Sequence, residues 1–580
     1  MSGRTRDRHQ DRTGALVVVS PGWLDVGGAS LAAAWYRGPR AGTSAAVVIP
    51  GPFTEDRQCA VAVDPLAEQL AAQGVPTMVV YLEATGHSSG MLGEHIVDRW
   101  VASIAGIVES VRSRGFDHVH VVTTRLASLL VMHSEVVGAV DTMVLWAPVL
   151  NGRRFVREIK LLGSVGAGAA GGGAGATIVG TFDVPNTVLD RIAALRPATG
   201  RARAALVLDD PGRRDGGSIA LLGEGGEVQS IDSIDVAGWL YVLSEQSRTP
   251  TSDIAAIVDW VTARAGPLGA DTTDHADLPT TVIVDVRGVQ VRESIERVGP
   301  GRIFAVRCDP VHGPAVAGGW IIPTHVQPGR RFIEFAREEA CRGVPTLRFE
   351  QPGSSFTPRQ PGWGYNELNS PNEPDAIAQM ASFWHEVNGT APTVLGFCSS
   401  ARSALLAEFD SEVAGIAAVE PGLYAGSWLF RSDDGVTGRR SLRVLKRLDR
   451  RRLMYKAAVK YRIDYSPPSR VLRTLRRLGR RGMPVALLLD EQEASYRYWR
   501  RHRRRLGDLP SVEVQAYPGL GHVLTDLTQR DRVFADLHSW MERSGLGRAL
   551  EQPADGPDQA GKIPDGDDTQ QAGGDEPGHQ

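Results

Sequence analysis

Short runs of aliphatic and β-branched residues alternate along this chain with longer stretches whose apolar positions recur every three or four residues. The first kind includes "AAVVIP" (45–50), "TMVVYL" (77–82), "VHVVTT" (119–124), "TMVLWAP" (142–148) and "RAALVLDD" (203–210). Each is bounded by Gly, Pro or polar residues. The second kind includes "DIAAIVDWV" (253–261) and "RVFADLHSWM" (532–541), both with a Trp on the apolar face. Short buried strands separated by helical crossovers predict βαβ units and mainly parallel sheets covered by helices.

The pattern occurs twice. "AAVVIPGPFTEDR" (45–57) matches "GGWIIPTHVQPGR" (318–330) in character, and "AAQGVPTMVVYLEATGHSSG" (71–90) matches "ACRGVPTLRFEQPGSSF" (340–356). "VHVVTTRLASLL" (119–130) pairs with "TVLGFCSSARSALL" (393–406), and "DTMVLWAPVLNGRRF" (141–155) with "GIAAVEPGLYAGSW" (415–428). Further on, "RAALVLDDPG" (203–212) pairs with "MPVALLLDEQE" (483–493), and "GEVQSIDSIDVAGWL" (226–240) with "VEVQAYPGLGHVLTD" (512–526). A repeat of this length is a duplicated domain rather than a solenoid. The expected organisation is an unstructured N-terminus at 1–14, a first domain at 15–265 and a linker at 266–280. A second domain at 281–547 carries a basic helical cap at about 428–482, and an acidic tail at 548–580 is expected to be disordered.

Composition adds limits. The 580 residues carry 64 basic and 67 acidic side chains, and 42% are hydrophobic, which suits a multidomain globular protein. Four cysteines make neither a disulfide framework nor a zinc spacing, so a reduced, cytoplasmic setting is the default. The charged N-terminus lacks the apolar core of a secretory signal. Leu161 to Gly180 is uncharged and nearly long enough to span a membrane, but its Gly and Ala content predicts a loop.

Three stations of the second half carry chemistry. Cys398 stands in Gly396-Phe397-Cys398-Ser399-Ser400, where an apolar strand meets a helical pattern. Small neighbours allow a sharp strand-to-helix turn, and a thiol at a helix N-terminus is favoured as thiolate. Glu493, with Asp490 and Glu491 close by, follows a later strand, and His522 follows the last. A lone cysteine ending an apolar run is commonly an inert core residue. An acid and a histidine, in that order after later strands, shift the balance towards a working nucleophile.

This order of stations resembles the α/β-hydrolase fold, in which nucleophile elbow, acid and histidine follow successive strands. More narrowly, the tandem resembles hydrolases associated with exosortase and polysaccharide loci, whose elbow reads G-x-C-S-G-A. Ser400 stands here in place of the second Gly. The resemblance implies two tandem α/β-hydrolase-like domains and a Cys398–His522–Glu493 triad, with Asp490 as alternative acid. It also implies an oxyanion site from the backbone N–H groups of Ser399 and the Thr324–His325 turn. No metal and no organic cofactor is implied. The expected reaction is ester or thioester hydrolysis, or acyl transfer, on a small acyl-containing substrate.

The first half lacks this machinery. Arg125 takes the nucleophile position and keeps its proton, the His522 position falls near Val236, and the Glu493 position falls near Gly212. A pseudo-enzyme domain is the expectation. Arg125 is expected to pair with a carboxylate, Asp209 or Asp210, rather than to bind an anion, and His87 and Ser88 are expected to have no catalytic role. Leu442, Val444, Leu445, Leu448 and Leu453 in the basic insert predict an amphipathic helix, pointing to an anionic substrate or peripheral membrane contact. No nucleic-acid-binding module is recognisable. The rival reading is a non-catalytic binding or scaffold protein that keeps the fold in both halves.

Overall fold

In the computed structural model two nine-stranded sheets are built one after the other with the same topology. The structure describes residues 7–10, 16–53, 55–134, 140–166, 175–179, 182–198, 203–210, 226–242, 247–267, 277–312, 318–324, 330–353, 356–357, 370–409, 412–423, 469–520, 524 and 527–546. The first sheet contains β1 (Asp7–Gln10), β2 (Leu16–Val26), β3 (Ala29–Arg37), β4 (Ser44–Ile49), β5 (Thr77–Val80), β6 (His118–Thr124), β7 (Thr142–Trp146), β10 (Ala204–Asp209) and β11 (Glu227–Asp232). A separate hairpin is formed by β8 (Ala176–Val179) and β9 (Phe182–Pro185). The second sheet contains β12 (Thr281–Val286), β13 (Val289–Val298), β14 (Ile303–Pro310), β15 (Trp320–Pro323), β16 (Thr346–Phe349), β17 (Thr393–Phe397), β18 (Gly415–Val419), β19 (Val485–Asp490) and β20 (Val512–Tyr517).

The spatial orders are β1-β2-β3-β5-β4-β6-β7-β10-β11 and β12-β13-β14-β16-β15-β17-β18-β19-β20. In each sheet the first four strands in space are antiparallel and the rest parallel. Setting aside the outermost hairpin strand, this is the α/β-hydrolase order. The parallel strands need helical crossovers, and the apolar runs are buried on both faces because helices cover both.

In the first half α1 (Glu55–Ala72), α6 (Val236–Trp239) and α7 (Thr251–Thr262) pack on one face, while α2 (Ile96–Arg112), α3 (Leu126–His133), α4 (Gly152–Gly166) and α5 (Asn186–Ala194) pack on the other. In the second half α9 (Glu373–Asn388), α10 (Ser399–Leu406) and α11 (Arg470–Arg480) cover one face. The other is covered by α8 (Arg331–Cys341) and α13 (Leu527–Arg543), and α12 (Ala494–Leu506) follows β19. The halves are not independent beads. Phe304, Val306 and Phe356 of the second half belong to the apolar core beneath α1 and α7 of the first.

Several expectations meet different outcomes. Asp7–Gln10, expected without structure, pair antiparallel with Val19 to Leu16 of β2. Part of the stretch expected to link the halves packs on the first: Leu278 is buried there, and Pro279 O accepts from Trp23 N at 2.8 Å. Leu161–Gly180, expected as a loop, contributes the end of α4 and all of β8. Among the described residues no helix is long and apolar enough to cross a membrane. The predicted amphipathic helix at 442–453 lies outside the described residues, as does the acidic tail.

Candidate active site

The turn from β17 into α10 places Cys398 at the helix N-cap with φ 51° and ψ −112°. A left-handed φ on a residue with a Cβ is strained, and surrounding contacts must hold it. Here Cys398 N donates to Val419 O of the neighbouring strand at 2.9 Å, and Arg402 N donates to Cys398 O at 3.2 Å. Gly396 is needed because a Cβ there would lie 2.4 Å from Ala401 Cα. Ser400, in place of the second Gly, serves the turn with its hydroxyl. Its Oγ accepts from Phe397 N at 2.9 Å and donates to Phe397 O at 2.8 Å. Cys398 is outside any disulfide and partly exposed, its thiol resting against the core beneath α8 and α13.

The oxyanion expectation needs a correction. Thr324 gives both its N–H (2.8 Å) and its hydroxyl (2.9 Å) to Phe349 O, so its N–H extends the sheet and is not available to a substrate. His325, the other residue expected in that turn, lies outside the described residues. Ser399 begins α10, so its N–H has no intrahelical acceptor.

His522, the expected base, also lies outside the described residues. The acids are described. Asp490 ends β19, is buried, and its Oδ1 accepts from Gln492 N at 2.8 Å. Glu493 is the partly exposed N-cap residue of α12. Sequence reasoning missed a third carboxyl, Glu420, at the tip of β18 next to the strand that carries Cys398. Glu420 is buried, has φ 50°, and accepts a hydrogen bond from Asp490 N. Burial, with Glu493 and Asp490 nearby, pushes its carboxyl up to about 8, so it is protonated at neutral pH. The available signal was a lone Glu ending the apolar run "GIAAV".

The first half repeats the elbow and fills it differently. Arg125 occupies the Cys398 position with φ 50° and ψ −122°, and its N–H bonds Trp146 O at 3.2 Å. Its guanidinium donates to Glu158 of α4 at 3.0 Å, a carboxylate that the sequence reading did not name. Ala147, φ 47°, stands where Glu420 does. Gly51 N, in the turn after β4, donates to Thr124 Oγ1 at 2.9 Å. The side chain before the elbow thus occupies a donor that an oxyanion would need.

His87 and Ser88 are structural. His87 Nε2 meets Glu350 Oε1 at 2.8 Å across the contact between the halves, and Arg348 Nε donates to His87 Nδ1 at 3.2 Å. That places the imidazole proton on Nε2, and burial lowers the ring's proton affinity. Arg337 donates to His87 O (2.8 Å) and Ser88 O (3.1 Å) while pairing with Glu293 at 2.8 and 2.9 Å. Among the described residues no group of His, Cys, Asp and Glu could hold a metal ion.

No protein-family model and no curated protein matches this chain. Solved structures do. Est1E from Butyrivibrio proteoclasticus is 14% identical, covers 42% of this chain and 98% of its own, and gives a TM-score of 0.29. An esterase from Pyrococcus furiosus is 16% identical, covers 44% of this chain and 91% of its own, at a TM-score of 0.28. A cold-adapted esterase from an Arctic intertidal metagenomic library is 12% identical, covers 46% and 98%, at 0.26. The fold assignment rests on the strand order itself: each half is an α/β-hydrolase-like sheet.

Proposed function

We propose that the second half is a thiol-dependent acyl hydrolase or acyl transferase, an esterase or thioesterase, and that the first half is a pseudo-enzyme domain. The observation that carries this reading is a partly exposed thiol at a strained elbow, at the N-terminus of α10. In the proposed reaction His522 takes the Cys398 proton and Sγ attacks the acyl carbonyl carbon. The tetrahedral oxyanion faces the N–H groups of Ser399 and His325. Collapse breaks the bond to the leaving group, which His522 protonates. Water, or a second alcohol, then resolves the acyl-thioester. Glu493 orients His522, with Asp490 as the alternative acid. The exposed arginines of α11 and α12 favour an anionic acyl compound.

A non-catalytic scaffold is the second reading. It is favoured by the Ser400 hydroxyl bonded into the turn and by the Thr324 N–H committed to Phe349. Alkylation with iodoacetamide at pH 6–7, with the modified cysteine located by peptide mass, separates the two. In the enzyme Cys398 reacts at least about 10-fold faster than Cys341, which is also partly exposed, and His522→Ala abolishes the difference. Cys308 is the inert control, because burial pushes its thiol up strongly. Equal rates at Cys398 and Cys341 leave only the scaffold.

A further inference from the structure

A small cleft opens where the two halves meet, lined by residues of both. Gly90 and Met91 of the first half form one wall; the β12–β13 turn with Asp285 and Arg287, and one side of α8, form the others. Met91, 43% exposed, and Arg287 make its rim. Arg330, the N-cap residue of α8, lines it and is only 4% exposed.

Arg330 is an unusual residue to bury. Its Nη2 donates to Gly90 O at 3.2 Å, but Nε and Nη1, both shielded from water, have no acceptor among the described residues. It forms no ion pair with a described carboxylate. Guanidinium keeps its proton in proteins, so the charge stays, felt by Glu334 and Glu293 without a direct ion pair. Arg337, lining the same cleft, has its donors committed to Glu293, His87 O and Ser88 O. The positive end of the eleven-residue helix α8 lies at the same place. Burial, and then the charge of Arg337, push the Arg330 guanidinium down to about 9, against the opposing pull of Glu334 and Glu293.

We infer that this cleft binds a small oxyanion, a carboxylate or a phosphate group, through the unmet nitrogens Nε and Nη1 of Arg330. Glu334, Glu338 and Asp285 lie on the same walls, and Arg287 pairs with Glu338 at 3.3 Å. These acids disfavour a dianion, so a carboxylate should bind more tightly than phosphate at neutral pH. Because Gly90 and Arg330 come from different halves, the ligand would bridge them, giving the first domain a use that needs no triad.

Isothermal titration calorimetry on the full chain, at fixed ionic strength against chloride, tests this with sodium acetate and sodium phosphate as probes. One saturable site for acetate is expected, with Arg330→Gln weakening it at least 10-fold. Met91→Trp, which fills the rim and leaves the arginine in place, should weaken it similarly and covers the case in which Arg330→Gln does not fold. Tighter binding of phosphate than acetate supports the site and identifies a phosphate group as its ligand. No saturable site for either anion, or unchanged binding in both variants, overturns the inference.

Discussion

At the residue scale, the elbow shows what a fold imposes on any side chain it carries. Cys398 and Arg125 hold nearly the same left-handed backbone although one is a thiol and the other a guanidinium. The strain therefore belongs to the turn, and only the side chain distinguishes an active elbow from an inert one. Glycine adopts this conformation without a Cβ penalty, so Cys398→Gly should raise stability by about 1 kcal/mol while removing the thiol. Urea unfolding with an unchanged m-value checks this; a lower midpoint would mean that thiol packing outweighs the strain. Cys398 as the elbow residue was legible from its small neighbours. Glu420 was not, because its importance comes from β18 lying beside β17, a neighbour relation that the local pattern does not encode.

At the element scale, α11 explains how an arginine-rich stretch can be structural on one side and solvent-facing on the other. Val471, Leu472, Leu475 and Leu478 are buried at helical spacing, and Arg470, Arg473, Arg476, Arg477 and Arg480 face outward. Ser469 caps the helix by accepting from Leu472 N at 3.2 Å. Leu475→Ala should cost about 2–5 kcal/mol, as for a fully buried leucine, whereas Arg476→Gln and Arg477→Gln should each change stability by less than about 0.5 kcal/mol. Chemical denaturation of the three variants measures both. Arginine variants that also destabilise by more than about 1 kcal/mol would show that these side chains hold the fold, leaving none of them for an anionic partner.

At the scale of the whole molecule, buried ionisable groups couple stability to pH. Glu373, fully buried and accepting from Ser403 Oγ at 2.7 Å, is pushed up to about 8 by burial. Its folded-state value lies above the unfolded one, so its contribution is complete below about pH 4.3 and is lost as pH rises towards 8. Glu420 acts in the same direction. His87 and His120, lowered by burial, act oppositely, losing stability as pH falls below about 6.5. Glu373→Gln should therefore gain on the wild type by a few kcal/mol between pH 5 and pH 8, on the order of 1.4 kcal/mol per unit. Unfolding free energies at pH 5, 6.5 and 8 give the difference directly. A difference independent of pH would show Glu373 to be ionised in the folded protein.

The sequence by itself determined the alternation of strands and helices, the duplication, and the strand ends at which the chemistry stands. Those follow from local periodicity and from comparing one half with the other, and both are one-dimensional signals. Tertiary structure decided the rest. A bond to Phe349 O on the neighbouring strand committed the Thr324 N–H. The adjacency of β17, β18 and β19 gathered Glu420, Asp490 and Glu493. Packing of the halves buried His87 against Glu350 and left Arg330 beside Gly90 with Nε and Nη1 lacking an acceptor. Each of these outcomes joins residues far apart in the chain, and only the folded packing brings them within hydrogen-bond distance.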